Sequence, residues 1–330
     1  MTNTTKLVKP GDNNWHLPTN DYAFKALFAD SRHLEITAGF IKDFFELDVP
    51  PEQIRFLRDS SIASLTYRDD ATEDELQKLA ETIRDVTIGI DLADLTIELQ
   101  VVPQERFIWR ALHYLTNAYN ARYDATPGPL PGGKSRDRFR NLKPAWGMSI
   151  VDFTIFPNDK EPYRMFSMRD EYNALPLPEA PLRLGFFEIP KQLQLGVKKL
   201  PTERDRNLQF WAEFFRTGNA LTTAPKYIHD AARIMIQINN DPMESRMLTA
   251  TEKFIADRDA QHAYAEKLGH AKGHAEGHAE GHAEGHAEGR QETQIENSRN
   301  ALAQGLEPEM VSRITGLPIN DVLALRVQAD

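Results

Sequence analysis

Two short segments hold the residues whose types and spacing could do chemistry. Asp85 opens the run Asp85-Val86-Thr87-Ile88-Gly89-Ile90, and Glu98 and Gln100 lie within Leu95-Thr96-Ile97-Glu98-Leu99-Gln100-Val101. Both runs alternate with period two, the mark of a strand. In the second, Leu95, Ile97, Leu99 and Val101 share one face, and Thr96, Glu98 and Gln100 share the other. In the first, Asp85, Thr87, Gly89 and Asp91 lie opposite Val86, Ile88 and Ile90. If Asp91-Leu92-Ala93-Asp94 turns the chain back, the polar faces coincide. A two-residue turn would set Thr87 opposite Glu98 and Asp85 opposite Gln100. A longer turn would set Asp85 and Glu98 directly opposite each other. Either register leaves Asp85, Glu98 and Gln100 on one surface.

Two carboxylates that close repel unless a cation neutralises them. Hard cations prefer oxygen, and Mg²⁺ usually takes one or two carboxylates plus waters and a substrate phosphate. Such a site acidifies a bound water and offsets phosphate charge, which suits phosphodiester hydrolysis. The competing reading is structural: Asp85 and Glu98 would line the wet face of an antiparallel hairpin. The spacing alone does not decide between them.

The elements that must position these residues are legible around them. Thr19, Asn20 and Asp21 can cap a helix with the stripe Tyr22, Phe24, Leu27 and Phe28. Leu34 to Phe45 is a second amphipathic helix, and the acidic residues 71–82 form a loop or short helix. Phe107 to Tyr123 is a long aromatic helix, and residues 126–143 read as a Pro-, Gly- and Lys/Arg-rich loop. Met148 to Phe156 is a third strand, Leu184 to Ile189 a fourth, and Leu208 to Phe215 a helix anchored by Phe210, Trp211, Phe214 and Phe215.

Composition bounds the rest. With 330 residues, 41% apolar and 27% charged, the chain can bury a real core and suggests about two structural units. Cysteine is absent, which excludes disulfides, thiol nucleophiles and thiolate metal sites. The net charge of −10 gives no global attraction to nucleic acid or to an anionic membrane. No signal peptide and no run of ~18 apolar residues is visible, so a soluble, cytoplasmic protein is expected. From Gly269 the chain repeats GHAK and GHAE with period four, placing His270, His274, His278, His282 and His286 in one drifting helical stripe. Two neighbouring imidazoles there could share a metal ion, but no fixed third ligand is visible. Its glycines and lack of an apolar face point to a solvated linker.

The segments NDYAFKALFAD, IRDVTIGID, LTIELQ and FIWRALHYLTNAY resemble, in order, the Rpn family of recombination-promoting nucleases, also called PD-(D/E)XK nuclease family transposases. The resemblance continues through LKPAWGMSIVDFTIF, LGFFEIPKQ and WAEFF, and so spans roughly the first 215 residues. It implies an α/β fold: a restriction-endonuclease-like core with a mixed sheet flanked by helices, plus a helical C-terminal extension. The expected units are a core at 1–225, a helical extension at 226–268, the linker at 269–289 and a small helical tail at 290–330. By the same resemblance Asp85 and Glu98 hold Mg²⁺, or another divalent cation such as Ca²⁺ or Mn²⁺. Gln100 stands where the wider superfamily has lysine; its amide can orient a water but cannot deprotonate it. Lys25 is the candidate for a nearby positive charge. Asp21 matches an acidic position that serves as helix N-cap or reaches the metal through water. Arg110 and Tyr114 match an R…Y pair, with Arg110 either clamping a phosphate or balancing Glu98.

The implied activity is DNA endonuclease action that promotes recombination. The alternative is a catalytically weak or inactive DNA-binding or interaction protein on the same scaffold. For DNA, the loop residues Lys134, Arg136, Arg138, Arg140 and Lys143 offer phosphate contacts, and Lys191, Lys198, Lys199, Arg204 and Arg206 form a second basic run. The helices of 309–325 have few basic residues and read as a homo-oligomerisation or docking element.

Overall fold

The computed structural model describes residues 7–57, 71–80, 86–124, 139, 142–195 and 200–327. They form two compact units, residues 1–256 and 257–330.

The first unit is built on a six-stranded mixed sheet. Its strands are β1 (Arg55–Phe56), β2 (Val86–Gly89), β3 (Asp94–Gln100), β4 (Ala145–Val151), β5 (Tyr163–Ser167) and β6 (Leu182–Glu188), in the order β1-β2-β3-β4-β6-β5. β3, β4 and β6 run parallel, while β1, β2 and β5 pair antiparallel. The expected α/β fold with a mixed sheet flanked by helices is therefore the observed one. The third strand ends at Val151, earlier than the apolar run that continues to Phe156. The next residues turn away so that the backbone N–H groups of Ile155 and Phe156 donate to the Glu188 carboxylate.

Two helical layers cover the sheet. On one face lie α1 (Asp21–Phe28), α2 (Leu34–Phe45), α6 (Glu203–Thr217) and α7 (Lys226–Asn240). Their side chains, among them Phe28, Phe40, Trp211 and Met235, share one apolar cluster with Leu95, Ile97, Met148 and Ile150 of the strands. On the other face α4 (Phe107–Asp124) links the parallel strands β3 and β4, and its Phe107 and Ala111 pack with Val151 and Phe186. A crossover helix is what a parallel strand pair requires. The acidic stretch contains α3 (Glu73–Ala80), and α5 (Ile189–Leu195) follows β6 directly. α6 begins at a capping box in which Thr202 and Asp205 satisfy each other's backbone N–H groups, and it ends at Gly218 with φ +72°.

Beneath α2 the carboxylate of Asp43 is 2% exposed. It accepts hydrogen bonds from Asn207 Nδ2 at 2.9 Å, Trp211 Nε1 at 2.9 Å and Tyr227 Oη at 2.7 Å. Burial raises the Asp43 pKa above the ordinary carboxylate value, and these bonds oppose the shift. Tyr227 is thereby held against Gly39, where an added Cβ would collide with its ring. Gly39→Ala is therefore expected to cost about 1–3 kcal/mol, the usual range for overpacking, read as a lower urea midpoint with an unchanged slope.

The chain continues into α8 (Pro242–Ala303), whose residues from Asp257 onward belong to the second unit. The tract 269–289 lies within this helix. α9 (Pro308–Thr315) and α10 (Ile319–Val327) then build a small cluster from Val311, Leu317 and Val322 with Ile295, Leu302 and Leu306. Gly305 and Gly316 stop helices in the left-handed region, at φ +83° and +74°. Among the described residues no helix is long and apolar enough to cross a membrane.

Candidate active site

The hairpin β2–β3 adopts the longer-turn register. Val86 pairs with Ile97, Thr87 with Thr96, Ile88 with Leu95 and Gly89 with Asp94. The register with Thr87 opposite Glu98 does not form. Instead Ile90 to Ala93 makes the connection, closed by the Ile90 N–H to Ala93 carbonyl bond at 3.0 Å. The next position on β3 after Ile97 is Glu98. Asp85 itself lies outside the described residues.

Glu98 does not line a wet hairpin face. It is 6% exposed, and its neighbours Asp94 to Ile97 are buried too. The physical reason is non-local: β3 is flanked by parallel β4 on its other edge, and α4 crosses over the polar face. Ser149, opposite Glu98 in the β3–β4 register, donates to Glu98 Oε2 at 3.4 Å. Arg110 Nη2 reaches to 4.0 Å from Glu98 Oε1 and donates to Tyr114 Oη at 3.3 Å. The Arg110 side chain is 36% exposed, so one guanidinium faces both the buried carboxylate and solvent. The pair Arg110 and Tyr114 sits one turn apart on α4, as the sequence spacing requires.

Gln100 ends β3, half-buried, and its Nε2 donates to the Val102 carbonyl at 2.9 Å. Asp21 is the first residue of α1 but not its cap: Asn20 holds that place, accepting from the N–H groups of Tyr22 and Ala23. The Asn20 amide also donates to the Leu248 carbonyl, which fixes the start of α1 against α8. Lys25 lies on α1 and is 1% exposed, so it is an interior lysine.

The basic runs divide. Lys134, Arg136, Arg138 and Arg140 lie outside the described residues, as do Lys198 and Lys199. Lys143 is half-buried and donates to the Ile90 carbonyl at 3.0 Å, so it braces the hairpin turn. Lys191 is buried, 2.7 Å from Glu188 Oε2, and also donates to the Phe156 carbonyl at 2.5 Å. Arg204 donates to the Asp43 carbonyl and stacks 4.1 Å from the Tyr163 ring centre. Lys143, Lys191 and Arg204 thus hold the fold together, and Arg206 is exposed.

Two carboxylates near the C-terminal edge of the parallel strands escaped the sequence reading. Glu188, together with Lys191, clasps the segment after β4. Its signal was the charged pair within the apolar run FFEIPK. Asp152 follows β4, its N–H donating to the Gln100 carbonyl at 3.1 Å. Burial pushes its carboxyl pKa up, while the Arg216 guanidinium, donating at 2.6 Å, pulls it back.

Among the described residues no group of three or more His, Asp or Glu side chains is arranged to hold a metal. The donors that are present, carboxylate oxygens at Glu98 beside a hydroxyl, are hard and match Mg²⁺ rather than a soft cation.

The first unit is thus an α/β domain whose mixed sheet carries a buried glutamate on a central strand, with Arg110 of the crossover helix beside it. Residues 18–266 match the PD-(D/E)XK nuclease family transposase family, and the chain belongs to it. The match runs beyond WAEFF through α7 and into α8. No curated protein and no solved structure matches the chain.

Proposed function

We propose that the chain is a divalent-metal-dependent DNA endonuclease that hydrolyses phosphodiester bonds and thereby promotes recombination. The observation that carries this reading is the hairpin register. Continued one step past Val86–Ile97, this register would set Glu98 opposite Asp85. Extended so, β2 and β3 would offer both carboxylates to one Mg²⁺, or to Mn²⁺ or Ca²⁺ in its place. When bound, such a cation acidifies a water and offsets charge on the phosphate.

The chain's own residues do the rest. Burial of Glu98 under α4 keeps its carboxylate in place and raises the strength of its interactions. Arg110, partly exposed, seats a phosphate oxygen while balancing Glu98. Lys25 adds positive charge within the core, and Asp21 approaches through water. Lys134, Arg136, Arg138 and Arg140 follow the DNA backbone with sequence-independent, salt-sensitive contacts. The terminal helices α9 and α10 serve homo-oligomerisation, and the protein works in the cytoplasm.

Gln100 orients the attacking water once its amide leaves the Val102 carbonyl. Gln100→Lys is expected to retain or raise cleavage, since lysine adds the missing charge. Gln100→Leu is expected to lose most of it. Single-turnover nicking of supercoiled plasmid measures both, and a leucine variant as fast as the parent removes Gln100 from the mechanism.

The test of the function itself is nicking of plasmid DNA by the purified chain with Mg²⁺ and with a chelator. DNA binding without Mg²⁺-stimulated cleavage would instead favour an inactive binding protein on this scaffold.

A further inference from the structure

The four-residue repeat of α8 carries a second chemistry. With period four, each histidine of the tract from His270 to His282 has another histidine at i+4, its neighbour on the helix surface. The residues flanking the stripe are small: Ala279 precedes His282 by three and Gly285 follows it by three. The glutamates of the repeat fall two positions from the histidines His274 to His286, about 200° around the helix, and so lie on the far side. His274, His278, His282 and His286 are exposed. The rings of His278 and His282 stack with centroids 6.3 Å apart, and those of His282 and His286 are 4.4 Å apart.

We propose that this stripe binds borderline divalent cations of the Zn²⁺, Ni²⁺ and Cu²⁺ class, each held between two imidazoles four residues apart. Two histidines at i and i+4 are the helical arrangement that presents both imidazoles to one zinc ion. Zn–N bonds of about 2.0–2.1 Å require the two nitrogens to converge on one point. Exposed side chains change rotamer within nanoseconds, so rings already in contact can converge at little cost. Imidazole selects this class of cation, whereas Mg²⁺ prefers oxygen ligands, so the stripe does not compete for the ion of the carboxylate site. Among the described residues no third side chain joins a pair, and water completes the shell.

Binding also acts on the helix. Six glycines, Gly269 through Gly289 at every fourth position, have open space where a Cβ would stand. Each weakens the helix by about 1 kcal/mol relative to alanine. A cation bridging i and i+4 fixes a full turn, which is the costly step of helix formation. The tract thus becomes a helix whose stiffness follows the supply of transition metal.

The experiment titrates the full-length, untagged chain with Zn²⁺ against a chromophoric zinc indicator, and follows ellipticity at 222 nm. The five histidines allow no more than two separate pairs, so saturation at one or two ions per chain is expected, with a rise in helical signal. The comparison protein exchanges His274 with Glu276 and His282 with Glu284. It keeps the composition but leaves no two histidines of the tract three or four residues apart. Its affinity should fall by roughly tenfold or more, because the second ligand no longer sits at high effective concentration. A double variant, His274→Gln and His282→Gln, leaves the remaining histidines of the tract eight residues apart and should lose binding likewise. Equal affinity in the exchanged variant, no binding by the parent at 100 µM Zn²⁺, or binding without gain of helix would each overturn the proposal.

Discussion

Glu98→Gln is expected to remove Mg²⁺-dependent nicking almost completely while leaving the thermal midpoint within a few degrees. Residues that merely support a metal ligand contribute about 10–100-fold, so loss of a ligand should exceed ~100-fold. Glutamine is the informative replacement because Glu98 is buried. It has the same size, and its amide oxygen can still accept from Ser149 Oγ, the partner of Glu98 at 3.4 Å. Arg110 loses a counter-charge, but its partial exposure lets water take over. Alanine would instead leave a void under α4 and confuse lost chemistry with lost packing. Asp85→Asn should behave as Glu98→Gln does. A time course of supercoiled-to-nicked conversion, run beside melting curves, checks both. Parent-like cleavage by a folded Glu98→Gln protein would remove the carboxylate site from the proposed function.

The sequence shows where strands lie more readily than what covers them. Alternation in LTIELQ marked β3 to within a residue, and the aromatic spacing after Phe107 marked α4. Alternation is local and says nothing about partners. It therefore could not show that the polar face of β3 would be enclosed, which follows from parallel pairing with β4 some fifty residues on. The strand pattern leaves the register open for the same reason, because the turn sets it. β1 escaped because Arg55–Phe56 is too short for a period, and β5 because YRMFS mixes polar and apolar on both faces. Lys143 and Lys191 read as surface charges because their acceptors, the Ile90 and Phe156 carbonyls, are distant in sequence. The capping role did fall within Thr19 to Asp21, although it is Asn20 that performs it. Spacing could bring Arg110 and Tyr114 together on one helix face, but only the fold aims Arg110 at Glu98.

The largest effect on stability is expected at Asp43, which lies on α2, across the sheet from α4. Asp43→Ala strips the acceptor from the Asn207 amide, the Trp211 indole and the Tyr227 hydroxyl at once. Each buried donor left unpaired costs about 1–3 kcal/mol. Part of this is recovered because the carboxylate no longer has to be desolvated. A net loss of about 3 kcal/mol is reasonable, and at ~2–4 °C per kcal/mol for a unit of this size the midpoint should fall by ~6–12 °C. The pH dependence has a definite sign. Burial raises the folded-state pKa of Asp43 above 3.8, so the folded chain holds this proton more tightly than the unfolded one. The contribution of Asp43 to stability therefore grows as pH falls through the raised value toward 3.8, and declines as pH rises through the same window. Surface carboxylates are common to both proteins, so their acid destabilisation cancels in the difference. The gap in midpoint between parent and Asp43→Ala should widen on going from pH 7 toward pH 4.5. Calorimetry at several pH values measures it, and a gap that narrows on acidification would mean that Asp43 is not desolvated in the folded chain.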